Sequence, residues 1–205
     1  EFQNKAPAKS PPTYTVAPPA PPSKMTQPTT TYAPAYAPAA YKPPKEFDVI
    51  ASADGKTLHM VGEINVGSAI ILKNAIRKNP KAKLLAMSSV GERLIEGVAM
   101  AHIVREFGLD TYVGFHCSSS CTFAFLGGKN RILAPHAKIG FHQASNSFYF
   151  LNPNQDIISE DGNMLMRSLY GSAKMDAAII DEGLKTSPTE IWYPETAKLL
   201  AGNVV

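Results

Sequence analysis

From Phe47 onward, apolar residues recur with periods that define elements. Asp48-Val-Ile-Ala-Ser-Ala53 and Thr57-Leu-His-Met-Val-Gly62 read as two strands around Asp54-Gly55, a hairpin signal because glycine accepts the positive φ of a tight turn. Val66–Asn79 sets Ala69, Ile70, Leu72 and Ile76 on one side of a 3.6-residue period, with Pro80 just beyond, which predicts a helix. Lys83–Met87 is a short apolar run of buried-strand type. Glu92–Phe107 repeats the helical period through Leu94, Ile95, Val98, Ala101, Ile103 and Val104, and Gly108 stops it. Thr111–Phe115 predicts a strand, Ser119–Leu126 a buried helix closed by Gly127-Gly128, and Arg131–Ala134 and Lys138–His142 two further strands. After a polar loop, Ile157–Gly183 predicts one long helix, and Pro194–Ala201 a short closing one. Strands alternating with amphipathic helices imply βαβ units, hence an α/β fold with parallel pairing and helices covering the sheet. The helix-rich continuation after Ile157 makes it less regular than a plain doubly wound sheet.

Proline placement divides the chain. Of 17 prolines, 12 fall in residues 1–45, so the folded domain is expected over 46–205 and a disordered tether over 1–45. Repeats such as Tyr32-Ala-Pro-Ala-Tyr36-Ala-Pro-Ala-Ala-Tyr41 describe a semi-rigid polyproline spacer, with docking to a proline-recognising partner as the second reading. Charge divides the same way: residues 1–45 carry five Lys and one Glu (+4), residues 46–205 carry 15 Lys+Arg against 16 Asp+Glu (−1). The pI of 8.8 therefore belongs to the tail, and a nearly neutral domain without a basic stripe argues against nucleic-acid binding. No run of 18 apolar residues is present, so no transmembrane helix is expected in these residues. The chain opens on Glu1-Phe2 and passes straight into proline-rich sequence, the expectation being a tether whose natural N-terminal targeting or anchoring segment has been removed.

Three segments could carry chemistry. Phe115-His-Cys-Ser-Ser-Ser-Cys-Thr122 lies where a strand passes into an apolar helix, so a hydroxyl there would meet helix N-terminal amides. Ordinary serine capping explains the same residues. Ala134–Gln143 is a strand ending in His142, a candidate general base near neutral pH, one of five histidines with His59, His102, His116 and His136. Ser88-Ser-Val-Gly-Glu92 is a strand-to-helix turn that could present amides to an anion, or be a common connection. Cys117 and Cys121 are too few for a disulfide framework or a four-ligand zinc site; their spacing permits a disulfide across the turn, or two buried thiols.

In this order the three segments resemble the ClpP/crotonase superfamily, specifically the ClpP-like serine peptidases and their predicted periplasmic branch. The resemblance runs from about Leu58 to Asn203. Leu58–Ile64 is similar to the family's first core strand, Ser88–Glu92 to its Asn-Ser-Pro-Gly-Gly turn, Cys117–Thr122 to the Cys-x-Ser-Ala-Cys nucleophile segment, Pro135–Gln143 to the base strand ending His-Gln, and Ile191–Val204 to the closing segment. It implies a ββα-repeat superhelical fold with a mostly parallel sheet. It further implies Ser119 as nucleophile, His142 as base, the amides of Gly91 and Ser120 as the oxyanion hole, and a Cys117–Cys121 disulfide in an oxidising compartment. With these come a peptide or protein substrate, no cofactor or metal, a homo-oligomer, and a periplasmic or exported setting with membrane anchoring through the missing N-terminus.

Two positions depart from the family pattern. Glu92 stands where the turn has its second glycine and Val90 where it has proline, and no carboxylate occupies Lys185-Thr186-Ser187, where the orienting aspartate is expected. Asp181, Glu182 and Glu190 are the nearest substitutes. Lys138 as the base of a Ser-Lys dyad is a weaker alternative, since its match is to a basic residue that is not the base. A catalytically silent binding or assembly module is the rival reading, and crotonase-type acyl-CoA chemistry a third.

Overall fold

The computed structural model describes residues 46–146 and 157–205. Gly55, at φ 68°, turns β1 (Asp48–Ala51) back antiparallel onto β2 (Thr57–Val61). Every later pairing in this six-stranded sheet is parallel: β2 with β3 (Leu84–Ser89), β3 with β4 (Asp110–Ser118), and β4 with both β5 (Arg131–Leu133) and β6 (Lys138–Gly140). The crossovers carry α1 (Ser68–Lys78), α2 (Leu94–Glu106) and α3 (Cys121–Leu126). A two-stranded ladder, β7 (Ser145–Asn146) with β8 (Ile157–Ile158), precedes α4 (Glu160–Ser172), α5 (Ala177–Gly183) and α6 (Thr196–Ala201). This is the mixed α/β, mostly parallel architecture that the alternation of periods predicts.

Period-2 alternation fixes which face is buried. The rows Leu58–Leu85–Thr111 and Met60–Met87–Val113 point inward, against Leu72 and Ile76 of α1, Met100 and Val104 of α2 and Phe123 of α3. The row between them, His59–Ala86–Tyr112–Ile132, lies on the other face and none of it is buried.

Several boundaries differ from expectation by a residue or two, among them α3, which starts at Cys121 rather than Ser119, and β6, which ends at Gly140 rather than His142. Three differences shape the fold. Residues 157–183 do not form one helix. Ser159 caps α4 by accepting from the Gly162 amide (3.1 Å), the chain turns at Lys174 (φ 59°), and Asp176 caps α5 by accepting from the Ala178 amide (2.9 Å). The apolar period runs through the break because Met166, Tyr170, Met175, Ile179 and Ile180 all face the same core. Helix α2 starts at Leu94 rather than Glu92, since residues 91–93 are held extended against Ile64 by Ile64 N–H to Gly91 O (2.7 Å) and Arg93 N–H to Ile64 O (2.9 Å). Strand β4 runs on through Ser118, three residues past the apolar run that predicts it. Among the described residues, no helix is long and apolar enough to cross a membrane.

Candidate active site

The extension of β4 builds the site. Its register against β3 slips between Met87↔Val113 and Ser89↔Cys117, so two extra residues of β4 are accommodated around Gly114 and Phe115. The strand then continues on β6, with Ser118 opposite Gly140, and ends where the Ser119 amide donates to Gly140 O (3.0 Å). Ser119 sits at φ 54°, in the left-handed region that a side chain with a Cβ occupies only at a cost. Its carbonyl holds it there, accepting from the Thr122 amide (2.9 Å) and from Thr122 Oγ1 (2.7 Å), which also meets Tyr170 Oη at 3.0 Å.

The three serines separate sharply. Ser118 is buried and donates to Tyr193 Oη (3.2 Å); Ser120 is 2% exposed, with Oγ unpartnered among the described residues. Ser119 alone is only half-buried. Capping does not account for the group, because Ser120, the N-cap residue of α3, makes no side-chain cap hydrogen bond. A disulfide joins Cys117 to Cys121 across this turn, with Cα atoms 5.4 Å apart and both sulfurs 3.9 Å from Met87 Sδ.

The Ser88–Glu92 turn lies directly against the serines. A Cβ on Gly91 would fall 2.5 Å from Ser118 O and 2.8 Å from both Ser119 Cβ and Ser120 N, so only glycine allows this approach. The Gly91 amide, the expected oxyanion donor, donates to Ser89 Oγ (3.1 Å), whose hydroxyl donates in turn to Gly62 O (2.5 Å). Among the described residues, the amides of Glu92 and Ser120 have no hydrogen-bond partner. Glu92 sits at φ 131°, a conformation that suits glycine. Glu92→Gly is expected to stabilise the fold by about 1 kcal/mol, the relief of that strain less glycine's entropy, measurable as a higher denaturation midpoint.

His142 follows β6 at the same end of the sheet as Ser119, one strand over. It is half-buried; Nδ1 is buried without a hydrogen-bond partner of good geometry, and no hydrogen bond joins the ring to Ser119 Oγ among the described residues. Burial holds the imidazole below its ordinary value of 6.5, opposed by the Pro188 carbonyl, which favours the protonated ring. His116 is likewise lowered by burial. For a base lowered on folding, the unfolded chain takes up protons first as pH falls. Stability is therefore expected to decline as pH drops below about 7 and to level off once both folded rings are protonated, as chemical denaturation at a series of pH values would record.

The substitute carboxylates are not gathered at His142. Asp181 forms an ion pair with Arg167 (2.6 Å), and Glu182 and Glu190 are exposed on the wall of an open groove of about 700 Å³ that also includes Lys185, Thr186, Ile191 and Trp192. Lys138 is exposed, its Nζ over the Tyr193 ring at 5.6 Å from the centroid, which places its ammonium in a cation–π contact. His59, His102 and His136 are exposed. The aromatic run Phe148–Leu151, in the loop Gln143–Asp156, lies outside the described residues. No group of three or more His, Cys, Asp or Glu is placed to hold a metal among those described.

Matches to solved structures show this mostly parallel α/β architecture to be a ClpP-like fold. Solved structures carry the same architecture. ClpP1 from Listeria monocytogenes matches over 74% of this chain and 89% of its own at 13% identity and TM-score 0.58. A point mutant of it matches over 74% and 90% at 14% identity and TM-score 0.57. A mutant of the 1510-N membrane-bound stomatin-specific protease matches over 73% and 75% at 13% identity and TM-score 0.54. No family model and no curated protein matches the chain by sequence.

Proposed function

We propose that the chain is a serine peptidase acting through Ser119 and His142. The observation that carries this reading is the setting of Ser119: the one partly exposed serine of three, in a left-handed turn beside the free Ser120 amide and the Gly91 turn. Ser119 Oγ bonds to the carbonyl carbon of a peptide while His142 takes its proton. The oxyanion is met by the Ser120 amide and, with Gly91 N–H engaged by Ser89, by the Glu92 amide. His142 then protonates the leaving amine, and water, deprotonated by the same ring, releases the acyl group and restores Ser119. Burial favours this role, because a lowered imidazole is neutral and able to accept a proton across a wider pH range. Incubation with a diverse peptide mixture, read by mass spectrometry, tests the reading: cleavage by the wild type and none by Ser119→Ala supports it.

A binding or assembly module on the same fold is favoured by one observation, the lack of a Ser119–His142 hydrogen bond. Intact peptides throughout, with the wild type folded, would select it.

The setting we propose is an oxidising, exported compartment, supported by the disulfide, with residues 1–45 as a tether. Alkylation of cells before lysis would leave both cysteines unmodified. A homo-oligomer is supported by exposed Val66, Ile70 and Ile95, where Glu96 of α2 accepts from the Gly67 and Ala69 amides at the start of α1. Light scattering of the purified chain measures this directly.

A further inference from the structure

Among the described residues no carboxylate bonds to the His142 imidazole, but the chain builds something else beside it. Residues 184–192 form a strap fixed on both sides of that ring. Before His142, Phe141 exchanges two backbone hydrogen bonds with Trp192, each 2.9 Å. After it, the Gln143 amide donates to Thr186 O (3.0 Å) and Gln143 Nε2 donates to Leu184 O (2.7 Å). His142 is thus the residue between two anchor points of the strap.

The crest of the strap is a turn, Ser187-Pro-Thr-Glu190, closed by Glu190 N–H to Ser187 O (3.0 Å) and reinforced by the hydroxyls of Ser187 and Thr189 at 2.9 Å. Proline at the second position of such a turn arrives with its φ already set, which stiffens the turn that carries the Pro188 carbonyl. The Pro188 carbonyl favours the protonated His142 ring, and the ring's Nδ1 is a buried polar atom without a hydrogen-bond partner of good geometry, side chain or backbone, among the described residues. A buried nitrogen of this kind needs a partner.

We infer that the Pro188 backbone carbonyl is the positioning acceptor for His142, taking a hydrogen bond from Nδ1–H and so leaving Nε2 unprotonated toward Ser119. The inference deepens the peptidase reading and rests on it for its purpose. A carbonyl holds the tautomer and the ring orientation as a carboxylate does, without the full negative charge that stabilises imidazolium. Gln143 is the second positioning residue, since its side chain pins the strap at Leu184.

Long-range proton–nitrogen NMR of the full chain labelled at histidine reads the tautomer without needing any substrate. At a pH where the ring is neutral, His142, assigned by its loss in His142→Gln, is expected in the Nδ1–H form. In Pro188→Gly, and in Gln143→Leu as an independent variant, its signals move toward the Nε2–H form while those of exposed His59 and His136 stay put. Modification of Ser119 by a fluorophosphonate slows roughly 10- to 100-fold in both variants. An Nε2–H wild type, or a tautomer indifferent to both substitutions, overturns the inference. The Nδ1–H form in a wild type that never reacts with the probe would instead keep the strap and remove the peptidase.

Discussion

Gly91→Ala is expected to destabilise the domain by about 3–5 kcal/mol, through left-handed strain and overpacking together. Its φ of 91° disfavours any Cβ, and the added atom would land within 2.8 Å of Ser118 O, Ser119 Cβ and Ser120 N. Two of those three are backbone atoms of β4 and the turn that follows it, so no rotamer change makes room. Gly67 separates the two causes. It has the same φ of 91°, but a Cβ there would meet nothing within 4 Å. Gly67→Ala should therefore carry only the conformational penalty, roughly 1–2 kcal/mol. The difference between the two variants in urea denaturation isolates the contact between the turn and the nucleophile segment. Equal losses would mean that the turn does not press on Ser119 as described.

His142→Ala is expected to slow covalent modification of Ser119 by about 10³-fold or more, because a serine hydroxyl without a general base is a poor nucleophile. The loss should appear in the modification rate well beyond any shift in the denaturation midpoint, since the ring is only half-buried and its removal gives up little packing. His136→Ala, on an exposed ring between β5 and β6, should leave the rate unchanged. A His142→Ala protein as reactive as the wild type would assign the base elsewhere.

The elements were legible because their signals are local. Asp54-Gly55, the run Lys83–Met87 and the stop at Gly108 each specify structure within a few residues. The segments holding Ser119, His142 and Gly91 were reachable in the same way, as strand ends and turns, but the choice of Ser119 among three serines and His142 among five histidines came from the resemblance to the ClpP-like peptidases. What stayed hidden depends on contacts between distant residues. Nothing local shows that Ser89 Oγ engages the Gly91 amide while bonding to Gly62, 27 residues before Ser89. The hold on the Ser119 carbonyl depends on Thr122 meeting Tyr170, 48 residues away. The break at Lys174 was masked by core-facing residues on both sides that keep one apolar rhythm. A search for a carboxylate near residue 185 could not find Pro188, because what it contributes is a main-chain oxygen, which every residue has and only a fold can aim.

The whole account turns on whether Ser119 is an activated nucleophile. Intact-mass measurement of the full chain after exposure to a fluorophosphonate, with the adduct located by peptide mapping, tests that most directly. The account predicts one adduct per chain, on Ser119, absent in Ser119→Ala and retained in Ser120→Ala. A folded wild-type protein that gains no mass, or an adduct on any other residue, would contradict it.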